Sequence, residues 1–193
     1  MVDKHPDPPS PETLISRRVR EERARRGWTL VQLAERAQVS RAMISKIERG
    51  ESSPTAVLLS RLADALGTSL TALMSDRAST PSALRRVDEQ PLWSDPSTGY
   101  VRRLVSPPGD EGDTEVVAID LPAGARIHFE AADHLLSDEQ VLLLEGRLRL
   151  EVGDARFDLA PGDCLRIAAD QARTFRNDGA EPARYLVVMR HGL

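Results

Sequence analysis

The spacing of apolar residues changes once along this chain, and the change divides it. From Leu14 to about Ser75 they recur every three or four positions; after Gly99 they recur every second position. The first period belongs to helices and the second to half-buried strands. One kind of element cannot satisfy both. The 193 residues therefore read as two small units, a helical bundle followed by an antiparallel β unit.

The helical half is closely punctuated. Leu14, Val19 and the Arg-rich run to Arg26 form a first helix, stopped by Gly27. Thr29 with Gln32 is a capping box that opens a short second helix through about Ala37. Ser40 caps a third, Arg41 to Arg49, closed by Gly50. Ser53, with Pro54 at the first helical position, opens a fourth that runs to Gly67. Ser69 starts a last turn carrying Leu70, Leu73 and Met74. In the second half TEVVAIDL, GRLRLEVG, RFDLAPGD and ARYLVVM alternate apolar and polar residues between PAG, EG, PGD and NDG turns. Several such strands in one unit indicate an antiparallel sandwich or barrel. Residues 77–99 lose periodicity, gain Pro, Ser and charge, and read as a linker between units at 13–76 and 100–193. Trp93 is the exception, because a free linker seldom carries a Trp; it is expected to dock on one of the units.

Composition excludes several function classes. No apolar run approaches the ~20 residues of a membrane helix, so no membrane partner is expected. The opening MVDKHPDPPSPE is polar and Pro-rich, which makes residues 1–12 a disordered lead-in rather than a secretory signal. The single cysteine, Cys164, excludes an internal disulfide and a cysteine-based zinc cluster, and fits a reducing cytoplasm. In the segment CLRIA it reads as a small buried hydrophobe. The net charge of −4 hides an asymmetry: residues 14–76 carry +4 and residues 100–193 carry −6. A basic front and an acidic back point to different partners. Lys4 and Lys46 are the only lysines, so a bias toward Arg also contributes.

The stretch LVQLAERAQVSRAMISKIERG carries the strongest signal. Leu33, Ala34, Val39, Ile44 and Ile47 fall where two short helices crossing steeply must touch. Such a pair presents the start of its second helix to the major groove of DNA. Arg41 can reach the O6/N7 edge of a guanine, Ala42 a thymine methyl and Ser45 a base edge. Ser40, Lys46 and the helix starts at Thr29, Gln32, Ser53 and Thr55 suit phosphates. Met43 reads as packing and Arg49 as a surface charge.

With SRAMISKIERGESSP and LADALG, residues 14–75 resemble the Cro/phage-repressor (XRE-type) helix-turn-helix family. The resemblance implies that Arg23 pairs with Glu48 for structure, not for DNA contact. Two positions depart from the family: Leu30 replaces a phosphate-touching Gln, and Gln38 replaces the Gly of the turn.

Gly124, Gly146, the PGD at Pro161–Asp163 and Asn177 give residues 100–190 a resemblance to the cupins, small jelly-roll barrels. The fold expected is therefore a multidomain α plus β chain, a five-helix bundle followed by an antiparallel β jelly-roll barrel. Metal-binding cupins use two His, a Glu and a third His. On that pattern His134 and Glu139 remain, while Ala132 and Arg173 replace the other two ligands. A permanent cation repels a divalent ion and suits a carboxylate or phosphate, so neither metal nor cofactor is expected. His134, Glu139 and Arg173 become candidate ligand-binding residues, with Glu139 pairing across the barrel with Arg173. His128 need not face inward.

Two functions follow. The first is a sequence-specific DNA-binding transcriptional regulator: a homodimer on a palindromic operator in double-stranded DNA, with a barrel that senses a small, anionic effector of unknown identity, dimerises, or does both. The alternative, also implied by resemblance, is a metal-dependent cupin oxidoreductase with a helix-turn-helix domain.

Overall fold

The computed structural model describes residues 10–74, 82–107, 114–131, 139–168 and 170–190. The front unit contains α1 (Pro11–Arg25), α2 (Leu30–Ala37), α3 (Arg41–Glu48), α4 (Ala56–Ala65) and α5 (Leu70–Met74). Its helix starts are chemically signed. Thr29 accepts from the Gln32 amide while the Gln32 side chain accepts from the Thr29 amide, at 3.2 and 2.8 Å. Ser40 caps α3 through the Met43 amide at 3.2 Å, and Ser69 serves α5 through the Ala72 amide at 2.9 Å. Gln38 takes the left-handed conformation that a turn glycine would adopt, with φ 52°.

Two boundaries differ from the sequence reading. α1 begins at Pro11, inside the stretch read as lead-in, because Ser10 caps it through the Thr13 amide and Pro11 and Glu12 suit a first turn. α4 is capped by Thr55, not Ser53: the Thr55 hydroxyl accepts from the Leu58 amide at 3.3 Å. Pro54 thus precedes the cap instead of opening the helix, and Ser53 before it is biased to extended backbone. Leu33, Ile44, Ile47, Leu59, Leu62 and Leu66 are fully buried at the centre of this unit.

A 3₁₀ turn at Val87–Glu89 leads into ten strands: β1 (Leu92–Ser94), β2 (Val101–Leu104), β3 (Thr114–Leu121), β4 (Arg126–Phe129), β5 (Glu139–Glu145), β6 (Leu148–Val152), β7 (Ala155–Leu159), β8 (Cys164–Ile167), β9 (Arg173–Arg176) and β10 (Ala183–Arg190). They form a six-stranded sheet, β1-β2-β3-β10-β5-β8, and a four-stranded sheet, β4-β9-β6-β7, with every pairing antiparallel. Side chains alternate, so Val117, Ile119 and Leu121 of β3 face Leu148 and Leu150 of β6 across a shared interior. Gly146 turns the chain between β5 and β6 with φ +81°, and a Cβ there would stand 2.6 Å from the Pro182 carbonyl oxygen.

The helices pack on one edge strand of each sheet. Trp93, Arg102, Ile119, Tyr185 and Leu143 form one buried row across five strands. At its outer end α1 packs on β1, and α4 packs on β4 of the other sheet. Trp93 is fully buried there, so the segment read as a linker contributes a strand and a core residue.

Candidate nucleic-acid interface and barrel site

The face expected to meet DNA is formed by the starts of α2, α3 and α4. Thr29, Gln32, Ser40, Arg41, Ala42, Lys46 and Ser53 are exposed, and Ser45 and Thr55 are half-buried. Capping uses the oxygens of Thr29, Gln32, Ser40 and Thr55 as acceptors. Their hydroxyl and amide hydrogens stay available as donors, the role a phosphate requires. Ser45 already accepts from Arg49 Nη1, and Arg49 also pairs with Glu51 at 2.6 and 2.7 Å, so this arginine serves the surface of α3.

The scaffold beneath is fixed by charge. Arg23 grips Glu48 with two hydrogen bonds, Nε to Oε1 at 2.6 Å and Nη2 to Oε2 at 2.8 Å, and donates to the Trp28 carbonyl at 2.7 Å. The bond to Glu48 raises the guanidinium pKa further. This ties α1 to the end of α3 away from the residues expected to read bases. Arg36 stacks on Trp28 at 4.3 Å and braces α2.

Within the barrel, Glu139 and Arg173 meet: Nη2 donates to Oε1 at 2.5 Å, with side chains 11% and 14% exposed. The pair crosses the interior from β5 to β9, and the guanidinium also lies 5.6 Å from the Phe129 ring centre. Arg173 Nε is buried and has no hydrogen-bond partner among the described residues. His134, the other candidate ligand residue, lies outside the described residues, as does Ala132. His128 faces the outer surface, with Nδ1 2.8 Å from Thr174 Oγ1. Cys164 is exposed, correcting the expectation of burial: it pairs with Leu142, while Ile167, three registers on beside Glu139, takes the interior.

Sequence reasoning missed three residues of this region. Glu115 shares the Glu139 row because Met189 of β10 pairs with both, and its phase with Val117 and Ile119 was the available signal. Tyr100 and Arg102 are buried although they adjoin the supposed linker. Arg102 donates to Tyr100 Oη at 3.4 Å and to Thr71 Oγ1 on α5 at 2.8 Å. Burial raises the pKa of Tyr100 and, more strongly, of Tyr185; the Glu139 charge adds to both shifts and the Arg102 charge opposes them. A second bridge joins the units at Asp95. One of its oxygens accepts from the Ala56 amide at the start of α4 at 2.7 Å; the other accepts from the Ser97 amide and hydroxyl, both at 2.7 Å.

The described residues do not suit a divalent metal. The guanidinium of Arg173 occupies the carboxylate of Glu139, and no three His, Cys, Asp or Glu side chains among them are grouped to hold an ion.

The Helix-turn-helix family (HTH_3) matches residues 19–73, and the Cupin domain family (Cupin_2) matches residues 118–189. The HTH-type transcriptional regulator SutR of Escherichia coli (strain K12) is 30% identical over 173 residues, covering 89% of this chain and 91% of SutR. An HTH_3 family transcriptional regulator from Vibrio cholerae shares the fold, with a TM-score of 0.77 at 24% identity, over 94% of this chain and 97% of that one. The crystal structure of FeII HppE is similar at a TM-score of 0.49 and 18% identity, over 93% of this chain and 100% of that one.

Proposed function

This chain belongs to the helix-turn-helix transcriptional regulators that carry a C-terminal cupin domain, and from that premise we propose that a small anion held beside Arg173 sets the grip of the front unit on DNA. The chain is a DNA-binding regulator. Arg41, Ala42 and Ser45 read base edges, while Thr29, Gln32, Ser40, Lys46, Ser53 and Thr55 hold phosphates. It works in the cytoplasm as a homodimer on a palindromic operator, where two-fold protein symmetry meets two-fold DNA symmetry.

The observation that carries the effector reading is the buried Glu139–Arg173 pair, whose Nε donor has no partner among the described residues. A carboxylate or phosphate can take both nitrogens side by side and release Glu139. The route to DNA is short. Tyr100 and Tyr185 feel the Glu139 charge, Arg102 reaches from Tyr100 to Thr71 on α5, and α5 packs on α1 and α4 of the DNA-binding head. An effector that binds the two arrangements of this interface unequally changes operator affinity by that difference.

The test begins with an operator selected from random DNA, and then measures operator affinity and thermal stability across a panel of carboxylates and phosphate esters. A coupled effector changes operator affinity by roughly 5–150-fold, and Arg173→Gln removes the response. A panel that stabilises nothing leaves the barrel a dimerisation scaffold. Absence of sequence preference at moderate salt would sink the regulator reading itself. The oxidoreductase alternative needs a divalent ion where Arg173 meets Glu139. Stoichiometric iron in the purified protein, lost on changing His134, would restore it.

A further inference from the structure

The sandwich has two open sides and the chain covers one of them. Edge strands β1 and β4 lie under α1 and α4. Edge strands β7 and β8 lie at the other side, joined by the turn Ala160–Asp163, and among the described residues no strand pairs beyond either. An uncovered edge offers a row of backbone donors and acceptors to any passing strand, and proteins blunt such edges with Pro, Lys or bulges. β7 has none of these: it pairs with β6 through five consecutive residues without a register shift. Ala155, Arg156, Phe157 and Asp158 are exposed, and Phe157 is one of few large apolar side chains left in the open.

We propose that a second copy of this chain covers this side, β7 pairing antiparallel with β7 of the other copy about a two-fold axis through Phe157. The inference rests on the homodimer reading above and says where its axis lies. The sequence ARFDL is self-complementary in that register alone. Phe157 meets Phe157 of the partner subunit, Arg156 meets the partner's Asp158 on either side of the axis, and Ala155 meets the partner's Leu159, small against large. Moving the axis to Arg156 or Asp158 opposes like charges, and an axis between residues would pair side chains that point to opposite faces. Asp158 accepts from Arg149 Nε at 2.6 Å through Oδ1 and lies 3.8 Å from Arg156 of its own strand through Oδ2, and with the Arg156 and Asp158 side chains 56% and 64% exposed both still reach a partner. Apolar residues of β7 share one face of the strand, continuous with Leu148, Leu150 and Val152 of β6, so pairing extends the apolar face across the axis. Half-buried Leu165 on the adjoining edge of β8 adds area that a five-residue pair lacks by itself. The helices, at the opposite side, remain free to hold DNA.

The experiment uses the full chain and needs no ligand. Sedimentation at graded concentrations measures the dimer. Arg156→Asp places acid opposite acid twice and weakens the dimer about ten-fold; adding Asp158→Arg restores it. In a Cys164→Ser background Phe157→Cys forms a disulfide-linked dimer on mild oxidation, since directly opposed residues are within disulfide reach. Ala155→Cys, facing Leu159 of the partner subunit, does not. Thermal unfolding checks that each variant is folded. A wild-type dimer indifferent to Arg156→Asp and uncross-linked at Phe157→Cys overturns this axis while the homodimer stands. A wild-type chain that stays monomeric at every concentration overturns both.

Discussion

Single side chains divide the work in ways that can be measured separately. Arg41→Ala is expected to cost ~1–3 kcal/mol of operator affinity and to relax preference at one base pair. Lys46→Ala should weaken all sequences alike and lower the salt slope by about one. Equal behaviour of the two in a binding titration against operator and mutated operators would remove the distinction. Glu48→Ala strands Arg23 in a half-buried site; about 3 kcal/mol of stability should be lost in urea unfolding. Residue roles were legible in unequal measure. Arg23 and Glu48 lie 25 positions apart, yet the resemblance to a known family joined them. Cys164 was misread because an apolar segment such as CLRIA does not reveal which of its alternating faces is inner. Arg102 was overlooked for the reverse reason: an arginine in a strand is ordinarily assigned to solvent, and this one is held inside by Tyr100 and Thr71.

At the scale of elements, local chemistry was legible and the placing of elements was not. Helices α2 and α3 announce themselves through Thr29, Gln32 and Ser40 because a cap is a short-range bond between neighbours in sequence. β1 does not, since LWS is too short to display alternation and owes its pairing to β2. The same contrast governs two predictions. Gly146→Ala sets a Cβ against the Pro182 carbonyl at a φ that L side chains rarely adopt. Unfolding should register a loss of at least about 3 kcal/mol. Asp95→Ala removes the carboxylate that accepts from the α4 start and from Ser97. A loss of about 2–3 kcal/mol is expected in the same assay, with Asp95→Asn intermediate because an amide oxygen still accepts.

Taken whole, the molecule buries two tyrosines whose protons tie its stability to alkaline pH. Tyr100 and Tyr185 have pKa values raised by burial above the unfolded value of about 10. The folded state therefore holds protons that the unfolded chain releases, and their contribution to stability is complete below about pH 10 and lost as pH rises through the folded values. Thermal melts from pH 8 to 11 should fall beyond pH 10, and less steeply in Tyr185→Phe. The two units also share one hydrophobic cluster, running from Ile15 and Leu59 to Trp93, Val117 and Phe175. That continuity bears on how such a gene can be recombined. A crossover at residue 76, where the helical period stops, would part α4 from Asp95 and α5 from Arg102, and hand the new partner a head with an uncovered flank. A crossover after Leu104 carries β1 and β2 along, and with them the Asp95 and Arg102 bridges between head and barrel. The exchangeable cassette of this regulator is thus longer than its DNA-binding motif by two strands.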